Sequence, residues 1–191
     1  KAEASATQGD HEAKREEMNT ALLVIDVQTG LVAGNPPVYR HASMLRTIQR
    51  LIVRARGHKV PVIYIQDDEV GTPGSLGWEV HPGVAPQEGD LRVRKLACDA
   101  FHGTRLHRAL SALRVKRLVV VGCKTQFCVD TTVRRAASLG YDVTLVADGH
   151  STTDSRVLPA KRIIAHHNHL LHGLGAGRHE VCVKRASAVR L

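Results

Sequence analysis

Asp26, Lys95 and Cys128 are residue types that together could form a covalent catalyst. A thiolate is a strong nucleophile. A carboxylate within reach can take the thiol proton and later activate a water. A nearby ammonium favours the thiolate. Cys128 opens a segment, about Phe127–Leu139, that reads as a helix. A helix N-terminus carries roughly half a positive charge, and a thiol there can have its pKa lowered from ~8.5 to as low as ~3.5. Backbone N–H groups at the same place can hold a developing oxyanion, an effect worth ~3–4 kcal/mol per donor. The joint arrangement points to acyl transfer through a thioester. Taken singly, each residue has a plainer reading: a satisfied buried carboxylate, one of 27 basic residues, a packed helix residue.

The elements around these residues alternate in type. Ala21–Val27 is a continuous apolar run of strand length, interrupted by Asp26 near its end, and reads as a strand buried on both faces. Val60–Gln66 is a second such run, Leu91–Lys95 a short third, Arg117–Cys123 a fourth, Asp142–Asp148 a fifth and Glu180–Lys184 a weaker sixth. Between them lie amphipathic segments. The helix from about His41 to Arg56 carries Met44, Leu45, Ile48, Leu51, Ile52 and Ala55 on one stripe. A second covers Thr104–Leu113. Another follows Asp154 or Ser155 as cap and runs to about Leu174, with Ile163, Ile164, His167, Leu170 and Leu171 inward. The pattern predicts a three-layer, doubly wound α/β fold with about six parallel strands and helices on both faces. In such sheets ligands sit beyond the carboxyl ends of the strands, at a topological switch point. Asp26, Lys95 and Cys128 follow strands one, three and four at that edge. Asp67–Asp90 is a long Gly/Pro-rich loop, and a loop of that length in a compact domain is usually functional.

Composition narrows the alternatives. The 191 residues are 43% hydrophobic, enough for a core and against a largely disordered chain. No run approaches the ~20 apolar residues of a membrane helix. Residues 1–19 are polar and read as a tail or tag remnant, with one folded domain over 20–191. Four cysteines without a zinc-finger spacing read as reduced thiols in a cytoplasmic protein; Cys98 and Cys123 read as buried and inert. The net charge is +9. Arg46, Arg50 and Arg54 line one helix face without interleaved aromatics, so the excess reads as a solvated basic face and not as a nucleic-acid partner. A non-catalytic scaffold or nucleic-acid-binding protein is the competing class.

Asp26 in LLVIDVQ, Lys95 in VRKLACDAFHGTRL and Cys128 in VVVGCKTQFCVDTTVRRAASLGYDVTLVADGHSTTD resemble the isochorismatase-like cysteine hydrolases. That superfamily includes nicotinamidases, N-carbamoylsarcosine amidases, streptothricin hydrolases and isochorismatases. The resemblance covers about Ala21 to Val183, and the streptothricin-hydrolase-like branch is nearest in pattern. It implies hydrolysis of a C–N bond in a small amide or cyclic amide through a thioester. Asp26 would be the base, Cys128 the nucleophile, and Lys95 the group that holds both. It further implies a non-proline cis peptide at Cys123–Lys124, with the backbone N–H groups of Lys124 and Cys128 forming an oxyanion hole, and a homo-dimer or higher homo-oligomer. The alternative within the superfamily is an isochorismatase-type reaction on a non-amide bond.

Some features depart from the family pattern. Nicotinamidases carry an Asp and two His after the second strand. Here Gln66–Pro73 contains no histidine, and His81 is the only one in the long loop, so neither metal nor cofactor is expected. Many relatives have Glu where this chain has Gln126. Trp78 and Phe101 are candidate pocket walls. Gln28, two residues past Asp26, is a candidate pocket residue or a structural cap on the loop. The histidines 166, 167, 169 and 172 read as a polar or inter-subunit helix face.

Overall fold

The computed structural model describes residues 19–191. The expected tail lies outside the described residues except for Asn19, whose carbonyl accepts the N–H groups of Lys116 and Arg117 at 2.7 and 3.0 Å. One sheet is built from β1 (Thr20–Ile25), β2 (Val62–Asp67), β3 (Leu91–Lys95), β4 (Arg117–Cys123), β5 (Asp142–Ser151), β6 (Leu174–Ala176) and β7 (His179–Lys184). The spatial order is β3-β2-β1-β4-β5-β7-β6. Every neighbouring pair is parallel except β6 with β7.

The continuous apolar runs are explained by burial on both sides. Successive strand residues point to opposite faces. In β1, Ala21, Leu23 and Ile25 enter one core while Leu22 and Val24 enter the other. The helix His41–Gly57 closes the second core with Met44, Ile48, Leu51, Ile52 and Ala55; Leu45 is only partly buried. The helices Leu106–Ala112 and Asp130–Ser138 close the first with Leu106, Leu110, Val133, Ala136 and Ala137. The architecture is the expected three-layer α/β fold.

Three expectations need correction. The sheet has seven strands among the described residues, because the chain leaves the last long helix at Leu171, turns at Gly173 (φ 79°) and adds the antiparallel strand β6. Leu174 therefore belongs to a strand. The helix Ala160–Leu171 buries Ile163 and Leu171, but Ile164 and His167 are half-buried and Leu170 is exposed. Asp154 does cap it, from further off than expected: its Oδ1 accepts the Ala160 N–H at 2.7 Å. Finally, β1 stops at Ile25, because Asp26 turns to φ 48° and leaves the extended conformation.

The order of strands places the switch point between β1 and β4. From β1 the chain steps outward to β2 and β3, then returns to the other side of β1 with β4. The two strands approach closely at their carboxyl ends. Gly122 pairs with Ile25 at φ 131°, and a Cβ built there would lie 1.9 Å from the Ile25 carbonyl oxygen. Only glycine combines that φ with that contact. Gly122→Ala is therefore expected to cost ~3 kcal/mol or more. Urea unfolding measures it; a loss within ~0.5 kcal/mol would show that the strands part cheaply.

Candidate active site

Four side chains from four elements meet at this edge. Asp26 follows β1, Asp67 ends β2, Lys95 ends β3, and Cys128 lies on the turn after β4. All are buried; the Lys95 and Asp26 side chains have no exposed surface. Lys95 Nζ stands 2.9 Å from Asp26 Oδ2, 2.5 Å from Asp67 Oδ2 and 3.4 Å from Cys128 Sγ. Asp67 Oδ2 is 4.0 Å from the same sulfur. Asp26, Lys95 and Cys128 are thus brought together as the sequence pattern predicts.

Local sequence accounts for each position. Asp tolerates the left-handed region better than most residues, and its φ of 48° swings the Asp26 carboxylate out of the strand direction. Lys95 and Asp67 are register partners in neighbouring parallel strands. Cys128 sits in one turn of π-helix, Thr125–Val129, ahead of the α-helix Asp130–Ser138. Such turns are frequent at functional sites. The Cys123–Lys124 peptide at the head of this turn is cis, and the Lys124 carbonyl accepts the Phe127 N–H at 3.1 Å and the Val129 N–H at 3.3 Å. The Lys124 ammonium meets Thr153 Oγ1 at 3.5 Å. His150 braces the turn from the side, with Nδ1 2.9 Å from Thr125 Oγ1 and Nε2 2.9 Å from Asn168 Oδ1.

The electrostatics correct one expectation. Burial pushes the Cys128 thiol above its ordinary range, and the Asp26 charge adds to this against the opposing pull of Lys95. A pre-formed thiolate at a helix N-terminus is not what this environment favours, because the sulfur is desolvated and the first α-helical turn begins only at Asp130. Burial also pushes the Asp26 carboxyl up to about 6, against the pull of Lys95. For Lys95 burial works downward, but the charge of Asp26 and the hydrogen bond to Asp67 outweigh it and hold the ammonium above the usual lysine range. At neutral pH the resting pair is therefore a thiol beside an ionised carboxylate with a raised affinity for protons. That pairing puts a proton acceptor beside the thiol.

The expected pocket residues separate. Gln28 is a clamp: its Nε2 donates to the carbonyls of Asp67 (3.0 Å) and Trp78 (2.8 Å), and its Oε1 accepts the Asp67 N–H at 2.9 Å. It pins the long loop to the end of β2, which is the structural-cap alternative. Trp78 is half-buried. Its indole N–H donates to Asp68 Oδ1 at 3.0 Å, and the Arg94 guanidinium lies 5.5 Å from its ring centre. Phe101 stacks on Tyr141, with ring centres 5.9 Å apart, in the same hydrophobic core that contains Cys128. It packs in the core beside the site. Cys123 is fully buried, with its thiol pushed up to about 12 by burial, but Cys98 is exposed, contrary to expectation.

Asp67 lies outside the set that strands one, three and four supply; its place directly after the second apolar run is the signal for it in the sequence. Among the described residues, the one group with metal-ligand spacing is Asp26, Asp67 and Cys128, whose ligand atoms lie within 4.8 Å of one another. The cation that stands among them is the protein's own Lys95 ammonium. The histidines of the last long helix form no such group among the described residues; His172 Nδ1 accepts the Val183 N–H at 3.1 Å, and His167 Nδ1 meets the Ile163 carbonyl at 2.8 Å. No helix of the described residues is long and apolar enough to cross a membrane.

A doubly wound α/β sheet with thiol, carboxylate and ammonium converging at its switch point defines the class: a three-layer α/β protein with a cysteine in reach of a carboxylate. The chain belongs to the isochorismatase family: the Isochorismatase domain model matches residues 20–158. It is 39% identical over 145 residues to a streptothricin hydrolase of Streptomyces noursei, covering 73% of this chain and 52% of that protein. The chain therefore spans about half the length of that curated relative. It is 27% identical over 169 residues to the ureidoacrylate amidohydrolase RutB of Caulobacter vibrioides, covering 68% of this chain and 75% of that protein. A crystal structure described as an isochorismatase family protein superposes with a TM-score of 0.79 at 34% identity, covering 86% of this chain and 97% of the other.

Proposed function

We propose that the protein is a cysteine amidohydrolase that cleaves a C–N bond of a small amide or cyclic amide. The observation that carries this reading is the Lys95 ammonium 3.4 Å from Cys128 Sγ and 2.9 Å from Asp26 Oδ2, in a desolvated cluster at the switch point. The relatives named above as hydrolases agree with it. Cys128 Sγ attacks the amide carbonyl carbon while its proton passes to Asp26. The carbonyl oxygen becomes an oxyanion, which the N–H groups of Lys124 and Cys128 receive. The C–N bond then breaks as Asp26 returns the proton to the departing nitrogen, leaving a thioester on Cys128. Asp26 next takes a proton from water, the hydroxide attacks the thioester, the C–S bond breaks to release the carboxylic acid, and Asp26 returns its proton to Sγ. Lys95 keeps its charge throughout and balances the negative charge as it moves between sulfur and carboxylate.

The test is a panel of small linear and cyclic amides assayed for amine release, with rapid acid quench and intact-protein mass spectrometry. The expected result is a transient mass increase equal to the substrate acyl group, mapped to the peptide containing Cys128. Turnover with no adduct on Cys128 under any quench condition, or an adduct on another residue, would remove the thioester from the reaction.

A further inference from the structure

The mechanism above uses one carboxylate, yet two face Lys95. Asp67 is fixed at both oxygens: Oδ2 takes the Lys95 ammonium at 2.5 Å, and Oδ1 accepts the Glu69 N–H at 3.0 Å. An ammonium carries three protons. Asp67 Oδ2 and Cys128 Sγ accept from this one, and Asp26 Oδ2 faces it as an ion pair at 2.9 Å without hydrogen-bond geometry. Removing the Asp67 contact would free the Lys95 chain to turn away from the sulfur. The charges also matter. Two carboxylates and one ammonium leave the cluster with one negative charge in excess while the thiol is protonated. Cys128 and Asp26 share one proton during the reaction, held either on sulfur or on the carboxylate. A second anion beside them strengthens their hold on that proton and eases the entry of another.

We propose that Asp67 is a positioning residue of this site: it aims the Lys95 ammonium at Cys128 and sets the pH range over which the Cys128–Asp26 pair keeps its single proton. The inference rests on the reading of Cys128 as nucleophile. The charged and titratable groups facing the pair come from every adjoining element: Asp26 after β1, Asp67 ending β2, Lys95 ending β3, and Cys98 beyond it, whose charge also reaches Cys128. On the loop after β2, Asp68 is engaged with Arg94 at 2.8 Å. Burial is the main cause that raises Asp26, and the Asp67 charge adds a smaller part in the same direction.

Alkylation by iodoacetamide tests this without a substrate: Sγ forms a bond to the acetamide carbon and iodide leaves. Cys128 labelling is followed by peptide mass spectrometry from pH 4 to 9 in wild type, Asp67→Asn and Asp67→Glu, with folding checked by circular dichroism. In wild type the rate falls on the acid side with a midpoint near 6, as Asp26 gains its proton. In Asp67→Asn that midpoint moves down by about one unit, so that at pH 5 the rate relative to its own plateau rises about fivefold. Asp67→Glu restores the wild-type midpoint. A merely structural role would lower stability or the plateau and leave the midpoint in place, which would overturn the inference. If Asp67→Asn does not fold, Asp67→Ser removes the same charge and carries the same expectation. If Cys128 of wild type resists labelling at every pH while exposed Cys98 reacts, the nucleophile reading falls and the inference with it. Labelling of Cys128 with an unshifted Asp67→Asn midpoint overturns the inference alone.

Discussion

Cys128→Ala is expected to lower kcat/KM by about 10⁴-fold or more on any substrate that wild type turns over, with little change in stability. Removing the nucleophile of a covalent catalyst leaves only binding and oxyanion stabilisation. A 10⁴-fold loss corresponds to ~5.5 kcal/mol of transition-state stabilisation. The stability change is small for a physical reason. The sulfur is a desolvated thiol whose charged form the site disfavours, and the substitution deletes one atom from the core's edge, at a cost of ~1 kcal/mol. Lys95 keeps both carboxylates. Steady-state assay beside thermal unfolding separates the two quantities. A variant that folds and retains wild-type turnover would end the cysteine mechanism. A variant that loses activity only because it has unfolded would show as a collapse of Tm.

Asp26→Asn is expected to lose about 10²–10⁴-fold in kcat, the usual worth of a general acid–base. The same variant is expected to gain stability above pH 6. The Asp26 carboxyl is pushed from 3.8 up to about 6 by burial, so the folded protein holds this proton more tightly than the unfolded chain does. The stabilising contribution of the protonated acid is fully present below about pH 3.8 and is lost as the pH rises through about 6. Above that pH the ionised group costs the folded state ~3 kcal/mol. Asparagine does not titrate and avoids that cost, while Lys95 retains Asp67 as its partner. Thermal unfolding at pH 4 and pH 8 reads the difference. The Tm advantage of Asp26→Asn over wild type should grow by about 6–12 °C between the two. An advantage that stays flat with pH would mean that Asp26 is not strained by its burial.

How far the sequence carried these conclusions depends on the range of the forces involved. The layer architecture was legible because a strand covered on both faces must be apolar at every position, as Leu22 to Ile25 are. The carboxyl-edge rule then located Asp26 and Lys95, at the ends of the first and third strands, and Cys128, five residues past the fourth. The short strand β6 was not legible: Leu174-Gly175-Ala176 is too short to show a period, and it pairs with β7 through the two-residue turn Gly177-Arg178, with Gly177 at φ 67°. The state of the Cys128 thiol was misjudged for a similar reason. A helix start is a local feature, whereas desolvation and the Asp26 charge arise only when four distant segments meet. Gln28 could be assigned between pocket and clamp only once the backbone of residues 67 and 78 stood beside it.

The His150 ring, held at one nitrogen by the turn that carries Cys128 and at the other by Asn168, has a consequence for where this domain ends. The match to the family model ends at residue 158, yet Asn168 lies beyond it. So do Leu171, Val181, Val189 and Leu191, all of which are buried in the cores. The Arg54 guanidinium further ties the carbonyls of Ala186 and Val189 to the helix His41–Gly57. The packed domain is therefore longer than the stretch that the family model matches. A fragment cut at the recognised boundary would keep every residue that could do chemistry and lose part of the foundation on which they stand.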